Sequence, residues 1–151
     1  MQLTKNFSLA ELTRSETAAR RGWSNTPDSV ALGHLIMLAW YVLEPLRDKL
    51  GRPVLINSGY RSSLVNSAVG GADNSLHLRG RAADLVVPGM RSAEVARAAS
   101  ALQLPISELI VEFNEWVHIA VAEPGKMPER REFTALRRDD GLVEYRKGLP
   151  T

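Results

Sequence analysis

Leu109-Ile110-Val111-Glu112-Phe113-Asn114-Glu115-Trp116-Val117-His118-Ile119-Ala120-Val121 decides how this chain folds. Both ends of the stretch are short runs of branched and aromatic apolar residues, the composition of strands buried in a sheet. Asn114-Glu115-Trp116 between them is turn-prone and polar. The reading is therefore two strands, 109–113 and 117–121, joined by a tight turn. Such a turn places one histidine, His118, on the second strand, with acidic side chains just ahead of it.

Two more β-prone runs lie upstream. Pro53-Val54-Leu55-Ile56-Asn57 is closed by Ser58-Gly59, and Ala82 to Val87 is stopped by Pro88-Gly89. Between strands two and three, Ser92 to Leu102 carries a helical stripe at Val95, Ala98, Ala99 and Leu102. Residues 61–74 are rich in Ser, Asn and Gly and read as a helical turn and a loop. At the N-terminus, Ser8-Leu9-Ala10-Glu11 is a capping box, predicting a short helix to about Arg14 or somewhat beyond. Gly22 and Asn25 mark a loop. Thr26-Pro27 then opens a long amphipathic helix whose stripe is Ala31, Leu35, Leu38, Val42, Leu46 and Leu50, ending at Gly51. Pro45 inside that helix removes one backbone donor and predicts a kink. Near the C-terminus, Glu132 to Arg137 and Leu142 to Tyr145 flank Asp139-Asp140-Gly141, a β-hairpin pattern. The order predicts an α+β fold, with N-terminal helices packed on a small, mostly antiparallel sheet, in a single domain over 1–151.

Composition narrows the function classes. The chain has 151 residues, 44% of them hydrophobic and 24% charged, as in ordinary globular proteins. It contains no cysteine, which removes disulfides, thiolate metal sites and cysteine nucleophiles together. Any metal must be held by nitrogen and oxygen. The formal net charge of +2 does not favour one anionic partner over another. Arg130-Arg131 and Arg137-Arg138 are pairs without interleaved aromatics, so no nucleic-acid partner is expected. The most apolar stretch, Val30 to Val42, is interrupted by Gly33 and His34 and reads as too short to span a bilayer. The first residues, Met1 to Phe7, lack the apolar run of a secretory signal, so accumulation in the cytoplasm is expected.

The chain holds three histidines, His34, His77 and His118. A catalytic Zn²⁺ site takes three ligands from His and Asp/Glu, keeps a fourth position open for water, and needs a nearby carboxylate to accept a proton. His77 and Asp84 lie seven residues apart, with Gly80 between them to let the backbone turn sharply. If a neighbouring strand brings His118 alongside, the three ligands are His77, Asp84 and His118. Imidazole and carboxylate suit Fe²⁺, Ni²⁺, Co²⁺ and Mn²⁺ as well as Zn²⁺. His34 has no ligand-type partner at i+3 or i+4 and reads as structural.

Glu112 and Glu115 compete to be the general base. On an extended chain Glu112 would lie about 20 Å from His118, at roughly 3.3 Å per residue. Glu115, at the turn, is the residue this spacing selects as base and then as acid toward the leaving amine. Arg61, just past the first strand, is either a surface arginine or a guanidinium that forks onto a carbonyl or developing oxyanion. Ser75 is either a loop serine or a hydrogen-bonding partner of substrate or of a ligand's second nitrogen.

Taken together, Ser58-Gly59-Tyr60-Arg61-Ser62, the Ser-x-His-x-x-Gly-x-Ala-x-Asp spacing at 75–84 and Glu-x-x-His at 115–118 resemble the zinc D-Ala-D-Ala carboxypeptidase family of metallopeptidases. The likeness is greatest to its short, phage-type, endolysin-like branch, through Phe7 to Leu12 and Leu46-Arg47-Asp48, and covers roughly residues 6–121. The resemblance implies Zn²⁺ on His77, Asp84 and His118, Glu115 as catalytic base, and Arg61 as oxyanion or substrate anchor. It implies a monomeric hydrolase of peptide bonds in peptidoglycan stem or cross-link peptides, acting as a D,D-carboxypeptidase or endopeptidase or as an L-Ala-D-Glu endopeptidase. A phage or prophage lysis enzyme that reaches the wall after release fits that branch. The alternative is a zinc-containing binding module of the same fold without the chemistry. The role of the C-terminal hairpin lies outside these motifs.

Overall fold

A computed structural model describes all of residues 1–151. The capping box at Ser8 and Glu11 forms as expected and starts α1 (Leu9–Thr13). The chain then makes a helix the sequence reading ran into its loop: α2 (Glu16–Arg21), capped by the Ser15 hydroxyl and closed by Gly22 in the left-handed conformation. Asp28, rather than Thr26, caps α3 (Ser29–Leu38) by accepting from the Ala31 N–H.

The helix that follows is continuous but not uniform. A π-helical turn at Ala39–Leu43 leads into α4 (Glu44–Leu50), with Pro45 in its first turn. The wider turn absorbs the carbonyl that proline leaves without a donor, so the expected disturbance takes the form of a π-bulge. The whole run, Ser29–Leu50, is 22 residues, longer than the apolar stretch Val30 to Val42 within it, and is long and apolar enough to cross a membrane by length and composition alone. Its stripe of Leu35, Leu38, Ala39, Val42, Leu43 and Leu46 is fully buried against the rest of the core.

Six strands form one sheet in the order β1-β2-β4-β3-β5-β6. They are β1 (Leu55–Ser58), β2 (Ala82–Val86), β3 (Ile106–Glu112), β4 (Trp116–Val121), β5 (Arg131–Arg137) and β6 (Val143–Lys147). Every pairing is antiparallel except β3 with β5. The α+β layout with a mostly antiparallel sheet is therefore the one the sequence predicts. Ala83 and Leu85 of β2, Leu109 and Val111 of β3, and Val117, Ile119 and Val121 of β4 point to the helical side, where α6 (Ser92–Ala101) adds Val95, Ala96 and Ala99. The period of two along a strand sends the intervening residues to the opposite face. Asp84, Glu108, Ile110, Glu112 and His118 are among them.

Registers fix which of those side chains meet. Asp84 stands opposite His118 across β2 and β4, and Ile110 stands opposite His118 across β3 and β4. Glu112 pairs with Trp116, so the chain reverses at Phe113, Asn114 and Glu115. Phe113 and Asn114 both adopt positive φ to make that reversal.

Candidate metal centre

His77 reaches the sheet from a separate element. Ser62 caps α5 (Ser63–Ala68), and after a loop the Ser75 hydroxyl accepts from the His77 backbone N–H to start a single 3₁₀ turn, Leu76–Arg79. Gly80 ends the turn at φ +70°, and a Cβ there would stand 2.4 Å from the Ala31 carbonyl oxygen. Only glycine meets both demands. His34 of α3 bonds the Arg79 carbonyl through Nδ1 at 2.7 Å, pinning the same turn to the helix. That is the structural role expected of it.

The turn delivers His77 to the open face of β2 and β4, and the ligand atoms of His77, Asp84 and His118 all lie within 4.8 Å of one another. All three residues are buried. Asp84 Oδ1 is 3.3 Å from His77 Nε2 and 3.1 Å from His118 Nδ1. The far side of each imidazole is occupied: His77 Nδ1 meets the Gly59 carbonyl oxygen at 2.7 Å, and His118 Nε2 meets Glu108 Oε1 at 3.0 Å. Both outer contacts are to acceptors, so each ring can keep a proton on its outer nitrogen when its inner nitrogen is given to a metal. Two imidazole nitrogens and one carboxylate oxygen converging in this way are the donor set of a catalytic Zn²⁺ site.

Burial disfavours the charged form of His118, yet the carboxylates of Asp84 and Glu108 outweigh it and lift its pKa from 6.5 to about 10. Burial likewise opposes ionisation of Asp84, and the two histidines overcome it and hold that carboxyl well below its ordinary value. In the metal-free protein the two carboxylates thus favour the charged form of the His118 imidazole. A divalent ion would take over that charge.

Arg61 is brought to the centre. It donates through Nη2 to Asp84 Oδ2 at 3.2 Å, through Nε to the Ser58 hydroxyl and through Nη1 to Asn66 Oδ1, so it orients the oxygen of Asp84 that faces away from the histidines. Ser75 lines the same cavity, but its hydroxyl serves the His77 backbone, and the second nitrogen of His77 belongs to Gly59.

Of the two glutamates, Glu112 is the one the structure brings to the cluster. The 20 Å separation assumed an extended 112–118 segment, whereas the hairpin folds Glu112 back so that its Oε1 lies 3.9 Å from His118 Nδ1. Burial, followed by the negative charge of Asp84, raises the Glu112 pKa above 4.5. Glu115 occupies the outside of the turn, with its side chain 55% exposed and Oε1 2.8 Å from Arg137 Nη1. The geometry does not bring Glu115 into the cluster, because residues three apart across a tight turn face different ways.

The cavity over the centre measures about 710 Å³ and includes Arg61, Ser75, Glu112 and, from the C-terminal hairpin, Arg131, Phe133 and Tyr145. Sequence reasoning missed Glu108 and these hairpin residues. The alternation of Glu108, Ile110 and Glu112 at a period of two was the signal, hidden because the strand begins at Ile106 and not at Leu109.

Two histidine nitrogens and a carboxylate, with an arginine and a raised carboxyl in the same cavity, define a metal-dependent hydrolase centre. The profile of the Peptidase M15 family matches residues 5–120, and the chain belongs to that family. It is also similar to the zinc D-Ala-D-Ala carboxypeptidase of Streptomyces albus G, at 36% identity over 96 residues. That match covers 62% of this chain and 36% of the relative, so the chain spans well under two thirds of the length of the curated relative it matches.

Proposed function

We propose that this protein is a zinc peptidase that hydrolyses peptide bonds in peptidoglycan stem or cross-link peptides, as a D,D-carboxypeptidase or endopeptidase or as an L-Ala-D-Glu endopeptidase. The observation that carries the reading is the convergence of His77, Asp84 and His118 in one cavity with Arg61 and Glu112. Family membership supports peptide hydrolysis, and the carboxypeptidase relative supports a cell-wall peptide as substrate. The motif likeness to phage-type members supports a role in host-wall lysis.

Zn²⁺ bound by the three ligands would polarise the scissile carbonyl and bring the pKa of a water toward neutrality. Glu112 accepts the proton of the attacking water and passes it to the departing amide nitrogen, as its raised pKa suits. This replaces Glu115, which geometry holds outside the cavity. Arg61 keeps Asp84 oriented and offers its guanidinium to negative charge developing on the carbonyl oxygen. Ser75 stands on the cavity wall within reach of a bound peptide.

Incubating the zinc-loaded protein with purified sacculi and identifying the released fragments by mass spectrometry tests the reading and names the bond cut. Release of muropeptides with new amino and carboxyl termini is expected. Bound zinc with no fragment released would make the protein a binding module of the same fold.

A further inference from the structure

Glu108 has no part in the chemistry just described, yet it is placed more exactingly than most surface carboxylates. It lies on the site face of β3, and a register shift between Ile106 and Glu108 sets its phase in the strand. Its Oε1 takes the N–H on His118 Nε2 at 3.0 Å, and its Oε2 takes Arg131 Nη2 at 3.0 Å. Arg131 is its direct cross-strand partner on β5, in the only parallel pairing of the sheet. A second carboxylate, Glu129, holds Arg131 Nε at 3.2 Å and so fixes the guanidinium from the other side. The result is a chain of contacts from Arg131 through Glu108 to a metal ligand.

We infer that Glu108 and Arg131 are a positioning pair that sets the tautomer and basicity of His118 for metal binding, which makes the C-terminal hairpin a working part of the centre. A carboxylate accepts hydrogen bonds and donates none, so with a metal on the Nδ1 side, where Asp84 and His77 lie, Glu108 would hold the proton of neutral His118 on Nε2. His77 obtains the same constraint from a neutral carbonyl, that of Gly59. The two ligands are therefore unequal: His118 leans on a full negative charge and becomes the stronger donor. Arg131 keeps Glu108 ionised and stops it from swinging toward the cation. Arg131 lies beyond residues 5–120, so this part of the centre is supplied by a segment outside the family match. The inference rests on the zinc reading of the site but not on the identity of the substrate.

The test is zinc affinity, measured by competition with a chromophoric chelator at fixed pH on the full chain, with the visible absorption of the Co²⁺-substituted protein as a second readout. Glu108→Ala is expected to weaken Zn²⁺ binding about 10- to 100-fold and to change the Co²⁺ bands. Glu108→Gln, which retains an acceptor oxygen without the charge and preserves the packing, is expected to lose less. Arg131→Ala should weaken binding by a smaller factor alone and by none in the Glu108→Ala background, since it acts through Glu108. Wild-type affinity and unchanged Co²⁺ bands in Glu108→Gln, or additive losses in the double variant, would overturn the inference. A wild-type chain that binds zinc tightly in a Glu108-dependent way and cuts no peptide would sink the peptidase reading and leave this one standing.

Discussion

Glu112 and Trp116 are the last paired residues of the β3–β4 hairpin, and their pairing carries the Glu112 carboxylate back over His118. Three residues of turn separate the two strands, so the acid that is six positions from the ligand in sequence is nearer to it in space than the acid three positions away.

Glu112→Gln should retain zinc and lose about 10²- to 10⁴-fold in kcat/KM on a defined peptidoglycan peptide. Glu115→Gln, which gives up only an exposed pair with Arg137, should hydrolyse at nearly the wild-type rate. Steady-state kinetics alongside metal analysis distinguishes the two. The reverse outcome would return the base to the turn.

Metal removal should act through the three ligands alone. Dialysis against a chelator is expected to abolish hydrolysis, and one equivalent of Zn²⁺ to restore it. His118→Ala should leave protein that neither holds zinc in elemental analysis nor recovers activity on its addition. His34→Ala, by contrast, should keep the metal and lose stability of the order of 1 kcal/mol, from the bond to the Arg79 carbonyl.

The metal-free protein should grow less stable as pH rises above neutrality. His118 is raised from 6.5 to about 10 on folding, so its contribution is complete below pH 6.5 and disappears as pH passes through about 10. Asp84, whose pKa is lowered, contributes above 3.8 and loses that contribution only in strong acid. Melting curves in chelator between pH 6 and pH 10 should therefore show a falling Tm, and His118→Gln should flatten the fall. Zinc competes with the same proton, so the Tm gained on adding zinc should increase over that range. A Tm without pH dependence in chelator would contradict the raised pKa of His118.

Gly80→Ala should cost about 1–3 kcal/mol from its left-handed backbone alone, with the close approach to the Ala31 carbonyl adding to it. Urea denaturation gives the stability, and zinc affinity should fall with it because the same residue aims His77. Unchanged stability would mean that the 3₁₀ turn tolerates a different path.

What the sequence revealed follows from how local each signal is. The capping box at Ser8, the stripe from Ala31 to Leu46 and the apolar runs of β2 and β4 are decided within a few residues, and they appear where the periodicities place them. The grouping of His77, Asp84 and His118 was legible because three donor residues of the right kinds left little choice. The closeness of Glu112 to His118 was not, because it depends on whether seven residues are extended or folded back, and the turn needs positive φ at Phe113 as well as Asn114, a conformation an aromatic residue does not advertise. Helix α2 was hidden for a similar reason: six residues make too short a window for a periodicity, and only Ser15 and Gly22 mark its ends. The hairpin 131–147 was visible as a hairpin, but its parallel docking on β3 is a long-range choice that no local pattern encodes.

That docking also decides what the sheet shows to other molecules. Were β5 absent, the edge of β3, a run of branched apolar residues, would be open to pairing with any extended chain. Instead the outermost strand is β6, where Glu144, Arg146 and Lys147 place charges along a largely exposed ribbon. At the far side β1 is four residues long, with an irregular register toward Ser58. Short or charged borders of this sort resist edge-to-edge aggregation. The segment that braces His118 thus also covers the apolar edge of β3.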